Sequence, residues 1–352
     1  MADALNLDLL ERLCAAPGIA GREERVQAVV AEALRPLVDE LRFDALGSVI
    51  GTRRGDGPRV MIAAHVDEIG FFVSHIDDRG FLRLQPVGGF DARTLVAQRV
   101  LVHGFAGTTL RGALQPGSKP IHLLERDEIK AAKLEELFVD VGMPVEQVRA
   151  AVELGDIVTL DRELAVVGDC VMSKALDDRV GVFVMIEALR AMGESPAEIV
   201  AVATTQEEVG LRGAETAAYA VQPDVAIALD LTLALDIPGI PPELAVSRLG
   251  DGVALKVMDS SHIANPALLR HLRDLAEAHG IPYQIELLPR GGTDAGPMQR
   301  SRAGTAAVTI SVPTRYVHTV NEMADQEDIA AAIHLLARFL EDAGSRSYGY
   351  GG

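Results

Sequence analysis

Four apolar stretches of strand character, at 60–64, 199–205, 225–229 and 308–313, each lead into residues of the kind that bind divalent metals: His65, Glu207-Glu208, Asp230 and His318. Taken singly, each has an ordinary reading. A histidine at a strand end is usually a hydrogen-bonded structural residue, and a Glu-Glu pair is usually a solvated turn. Asp177-Asp178 ahead of a helix-like run has the composition of an N-terminal cap. Recurrence separates this chain from those readings. Open α/β sheets gather ligands at the carboxyl ends of their strands, so remote segments converge on one edge. The remaining histidines, 75, 103, 122, 262, 271, 279 and 334, lack that setting and are read as structural.

Two half-sites for metal ions follow. Catalytic ions about 3.5–4 Å apart need a bridging group, and a carboxylate with two oxygens suits that role better than an imidazole. Asp177 is assigned to it. One ion takes His65, Asp177 and Asp230; the other takes Asp177, Glu208 and His318. Side chains alternate along a strand, so Asp67 falls on the same side as His65. Its carboxylate is positioned to accept the second imidazole N–H and set the tautomer. Glu207, beside a ligand but not one itself, is assigned as the general base that deprotonates the attacking water.

The segments carrying these residues, Ala64-His65-Val66-Asp67-Glu68-Ile69-Gly70, Lys174-Ala175-Leu176-Asp177-Asp178-Arg179, Thr205-Gln206-Glu207-Glu208-Val209-Gly210, Asp230-Leu231-Thr232, Gly291-Gly292-Thr293-Asp294-Ala295 and Tyr316-Val317-His318, resemble metallopeptidase family 42. Its members are the TET and glutamyl aminopeptidases, also called cellulase M. The order matches and the likeness spans nearly the whole chain. The resemblance implies two divalent ions per subunit, Zn or Co, and hydrolysis of N-terminal residues from short peptides through a water shared by the ions. It implies an α/β peptidase domain, with a central mixed sheet flanked by helices, interrupted by a small β-barrel-like domain. It implies a cis Asp177-Asp178 peptide bond and a hollow dodecamer built from dimers. The loop containing Thr293 and Asp294 resembles the one lining the site near the substrate's first side chain, so both are assigned to substrate binding.

The texture of the chain agrees. Amphipathic helix patterns occupy 7–15 and 22–34, a strand pattern covers 41–52, and a helix pattern ends the chain near 328–342. Between 71 and 160 short apolar stretches alternate with Gly, as in a small barrel or sandwich. The domains are therefore placed at 1–70 with 161–352, and at 71–160, the insert being too small and too rich in Gly to bury much core without a partner subunit. Residues 345–352, mostly small and polar, read as disordered.

A formal charge of −18 argues against nucleic acid and anionic lipid as partners. No apolar run is long enough to span a membrane, and the acidic start is unlike a signal peptide. Two cysteines, Cys14 and Cys170, are too few for a disulfide framework and point to the cytoplasm. Among rival chemistries, a metal-dependent deacylase of N-acyl amino acids would use the same residues. A glycosidase needs two free carboxyl groups about 5–9.5 Å apart, which adjacent glutamates, one on metal, supply poorly.

Overall fold

The computed structural model describes residues 5–119, 121–123, 125 and 131–349. At its centre four parallel strands stand in the order Glu198–Thr204, Arg59–His65, Val225–Leu233 and Ala306–Arg315. Their sequences explain why they are central. Along Arg59–His65, Val60, Ile62 and Ala64 pack into one apolar cluster while Met61 and Ala63 pack into another. Ile199, Ala201 and Ala203 of Glu198–Thr204 alternate in the same way with Val200 and Val202. Strands apolar at every position must be covered on both faces. Helices Leu7–Ala15, Glu24–Leu34, Leu176–Ala191 and Gln326–Asp342 cover one face, and Arg212–Val221 and Ala295–Arg300 the other.

Antiparallel strands extend the sheet at its margins, making it mixed. On one side lie Val49–Arg53 and Glu40–Phe43, on the other Glu322–Asp325, Cys170–Ser173 and Ala165–Val167. Val253–Met258 pairs with an earlier part of Ala306–Arg315, and Tyr283–Leu287 pairs with Val253–Met258. The segment read as one strand over 41–52 is a hairpin: Asp44 Oδ1 accepts from the N–H groups of Leu46 and Ser48, and this local bonding interrupts the ladder.

Between the His65 strand and the Asp177 helix the chain forms a closed antiparallel barrel. Its strands are Gly70–Ile76, Leu82–Val87, Leu137–Asp140, Thr109–Pro116, Arg99–His103 and Ile157–Leu160, in that order around the barrel. The expectation of a weak core there is corrected. Closure lets alternate residues, among them Phe71, Leu82, Val100, Leu114, Val139 and Val158, fill a common interior, joined by Val320 from beyond the barrel.

The expected disorder of the tail is also corrected for residues 345–349. Tyr348 is buried, its hydroxyl lies 2.6 Å from His271 Nδ1, and its carbonyl accepts from Asn265 Nδ2 at 2.9 Å. His271 Nε2 in turn meets Asp342 at 2.8 Å. A single aromatic anchor overrides an otherwise polar composition. We predict that Tyr348→Ala costs about 3 kcal/mol, as for other large-to-small changes, and Tyr348→Phe only about 1 kcal/mol for the lost hydroxyl contact. Thermal unfolding of the two variants would rank them in that order, whereas equal melting temperatures would show an unattached tail.

Candidate metal centre

The parallel strands bring the assigned residues together at their carboxyl ends. His65 closes its strand in register with Thr204, and Asp230 lies two residues beyond the last pair its strand makes with the His65 strand, Ala228 with Ala63. Glu207 and Glu208 follow the Glu198–Thr204 strand, and His318 follows Ala306–Arg315. Asp177 lies at the start of Leu176–Ala191, where it and Asp178 depart from helical geometry across a cis peptide bond.

Donor atoms of His65, Asp177 and Asp230 lie within 4.8 Å of one another, and so do those of Asp177, Glu208 and His318. Asp177 sits between the histidines: Oδ1 is 3.1 Å from His65 Nε2 and Oδ2 is 3.2 Å from His318 Nε2. Glu208 Oε1 lies 3.2 Å from the same His318 nitrogen. Glu207 Oε2 is 3.9 Å from His65 Nε2.

The outer ring nitrogens decide what this cluster needs. His65 Nδ1 is 3.0 Å from the carbonyl oxygen of Asp67, and His318 Nδ1 is 2.8 Å from that of Gly89. A carbonyl oxygen only accepts, so each Nδ1 carries a proton, and in the neutral ring each Nε2 turns a lone pair inward. Two lone-pair nitrogens and four carboxylates then converge in a buried space. They require positive charge among them, supplied by cations or by protons.

Proton affinities register the same demand. Burial opposes charging of His65, yet the Glu207 charge and hydrogen bonding to Asp177 and Asp67 carry its pKa well above the usual histidine value. His318 is pushed up to about 12, burial again opposing, by hydrogen bonds to Asp177 and Glu208. Asp177 is held below the ordinary carboxylate range: burial acts upward, but the two histidines outweigh it. Asp230 is raised by burial and by the charge of Asp177, and Glu207 by burial together with Asp230, Asp294 and Glu208. An all-nitrogen-and-oxygen donor set with this affinity for positive charge fits divalent ions.

Buried carboxylates that are not in the donor groups hold the ligand loops. Asp67 accepts from the N–H groups of Glu207 and Glu208 at 2.9 and 3.1 Å, while its carboxylate stands 3.6 Å from His65 Nδ1. The imidazole is thus anchored by the Asp67 carbonyl, and the carboxylate, expected from sequence to do this, aims the two glutamates. Glu322 accepts from the N–H groups of Asp177 and His318 at 3.0 and 2.7 Å. Glu23 accepts from the N–H of Gln206 at 3.0 Å. Gln206 (φ 58°) and His318 (φ 61°) are left-handed without being glycine, a conformation costing about 1–3 kcal/mol. The hydrogen bonds from these two N–H groups to the carboxyl groups of Glu23 and Glu322, about 0.5–1.5 kcal/mol each, offset part of that strain.

Sequence reasoning assigned no role to Glu23, Glu322, Glu68, Lys174 or Arg179. Lys174 Nζ and Arg179 Nη2 approach the Glu68 carboxylate at 2.7 and 3.7 Å, all three buried, and Arg179 also donates to the carbonyls of Leu13, Ala16 and Gly18. Glu68, Lys174 and Arg179 flank metal-type residues by one to three positions, the only signal present.

A cavity of about 540 Å³ opens onto the cluster. Thr293 lines it, although its hydroxyl is engaged with Asp259 at 3.0 Å and Thr309 at 2.9 Å. Asp294 is not among the lining residues; it is buried against Thr204, whose hydroxyl it accepts at 2.5 Å.

Comparison with known proteins finds relatives along nearly the whole chain. A model of the M42 glutamyl aminopeptidase family matches residues 47–335. The lysyl aminopeptidase of Pyrococcus furiosus is 37% identical over 347 residues, covering 96% of this chain and 97% of that protein. Among solved structures, aminopeptidase APDkam598 from the archaeon Desulfurococcus kamchatkensis is 42% identical with a TM-score of 0.91, covering 96% of this chain and 94% of the other. PhTET1-12s, a dodecamer, is 29% identical with a TM-score of 0.85, covering 95% and 98%.

Two variants test the backbone clamps. Asp67→Asn and Glu322→Ala each remove carboxylate acceptors from ligand loops, and each is expected to lower metal affinity about 10–100-fold. Metal titration of the refolded proteins checks this; wild-type affinity in both would mean that the loops hold their shape unaided.

Proposed function

The chain belongs to the M42 glutamyl aminopeptidase family, and from that premise we propose that it removes N-terminal residues from short peptides using two divalent ions, Zn or Co. Metal-dependent peptide hydrolysis follows from the family; the ion count and the roles below are our reading. His65, Asp177 and Asp230 would hold one ion, and Asp177, Glu208 and His318 the other. When bound, such a pair polarises the scissile carbonyl and lowers the pKa of the attacking water toward neutrality.

The observation that carries this reading is the sharing of Asp177 by two three-residue donor groups with Glu207 beside them and outside both. A carboxylate so placed takes the proton of the attacking water and returns it to the leaving amine. The substrate's free amine is held at the carboxylate-rich end of the cavity, which confines cleavage to the first residue. Thr293 lies along the path of the substrate's first side chain, with Asp294 behind it.

We assign the barrel, 71–160, to assembly. The likeness to PhTET1-12s supports a closed dodecamer, and the exposed Val166 and Val167 on the marginal strand Ala165–Val167 suit a subunit contact. Among the described residues no helix is long and apolar enough to cross a membrane. Cys14 and Cys170 are both free thiols, in keeping with a cytoplasmic setting.

Glu207→Gln is expected to keep both ions yet lower kcat by about 10²–10⁴-fold, the range for a lost general base, whereas Glu208→Gln weakens one ion site. Metal analysis beside kinetics separates the two, and loss of metal from Glu207→Gln alone would reverse the roles. An aminoacyl anilide should be cleaved and its N-acetylated form should not; the opposite pattern would identify a deacylase. Light scattering should give a mass near that of a dodecamer, and a fully active monomer would exclude the assembly.

A further inference from the structure

We infer that Asp259 is a positioning residue for substrate binding: its carboxylate locks two loops together and so fixes the cavity wall that they form; this rests on the aminopeptidase reading of the cavity. Ser260 and Ser261 from one loop, and Gly291, Gly292 and Thr293 from the other, line the cavity, while Asp259 is buried and does not. Asp259 directly follows the strand Val253–Met258. It opens a turn that its own N–H closes by donating to the His262 carbonyl at 3.1 Å. Oδ1 accepts from the N–H groups of Ser261 and His262 at 2.7 and 2.9 Å, and from the Ser261 hydroxyl at 2.7 Å. Oδ2 accepts from His262 Nδ1 at 3.0 Å and, from the second loop, the Thr293 hydroxyl at 3.0 Å.

These donors keep the carboxylate ionised. Burial acts to raise its pKa, but hydrogen bonding to His262 and Ser261 holds it well below the usual carboxylate range. An ionised carboxylate only accepts, so the single protons of the Ser261 and Thr293 hydroxyls are held inside the clamp and are not offered to a substrate. Further contacts join the same two loops. The Thr293 N–H donates to Ser261 Oγ at 3.1 Å, and the Gly291 carbonyl accepts from the Ser260 N–H at 2.9 Å and from the Ser260 hydroxyl. A Cβ on Gly292 would lie 3.0 Å from that of Ser261, and one on Gly296 2.7 Å from it, an approach that a larger residue would hold apart. Thr293 Oγ1 also lies 2.9 Å from Thr309 Oγ1 on the core strand Ala306–Arg315, which ties the clamp to the sheet. Without the carboxylate the wall loosens and contacts made alike by bound substrate and transition state weaken, which raises KM and leaves kcat.

The test uses the full-length, metal-loaded enzyme and whichever of the Glu, Leu and Lys p-nitroanilides wild type cleaves fastest. Asp259→Ala should raise KM about tenfold or more, keep kcat within about threefold and bind as much metal as wild type. Thr293→Val, which keeps the shape but not the hydroxyl, should raise KM by less and likewise leave kcat and metal content alone. In the double variant KM should be no higher than in Asp259→Ala, because the Thr293 hydroxyl acts through a carboxylate that is already gone. Wild-type KM in either single variant, independent effects that multiply in the double one, or loss of metal from Asp259→Ala overturns the inference and leaves the aminopeptidase reading intact. Should Asp259→Ala fail to fold, Thr293→Val decides: a raised KM at unchanged kcat supports the clamp, and a wild-type KM overturns it. Failure of wild type to cleave any of the three anilides overturns the aminopeptidase reading and the inference with it.

Discussion

Asp177 is the constraint on which the rest of the centre depends. One carboxylate faces two imidazole nitrogens, 3.1 and 3.2 Å away on opposite oxygens. Both imidazoles are locked by backbone carbonyls so that their lone pairs face it. Burying these groups together is unfavourable unless positive charge joins them. The raised histidines and the depressed Asp177 are that demand expressed in protons; divalent ions meet it in the working enzyme.

Much of the surrounding structure keeps this arrangement from relaxing. Asp67, Glu322 and Glu23 do not enter the donor groups, yet each grips the N–H groups of a loop that presents a ligand. The loops need such grips because Gln206 and His318 sit in strained left-handed conformations. Glu68, Lys174 and Arg179 form a buried ionic core that ties the N-terminal helix end to the start of the Asp177 helix. Buried pairs of this kind add little net stability but become costly when one member is lost.

The barrel reaches into the centre as well. Its Gly89 carbonyl sets the His318 ring, and a Cβ on Gly88 would lie 3.1 Å from Glu208 Oε2, at a φ of +85° that also disfavours any side chain there. Val320, two residues past His318, packs in the barrel interior.

Local pattern determined the parallel core strands and the residues at their ends, because an apolar strand followed by a polar ligand is legible within ten residues. It likewise marked the stretch that closes into the barrel. Four features were decided only in three dimensions. These were the carbonyl that orients His65, the clamps by Glu322 and Glu23, the burial of Asp294 away from the cavity, and the anchoring of Tyr348 on His271. Each pairs a side chain with a backbone group or a side chain that owes its position to packing. A carboxylate carries no mark in sequence of which N–H it will meet. That depends on the path of loops held by distant strands, and a closed barrel or a docked tail exists only once its partners have been brought together.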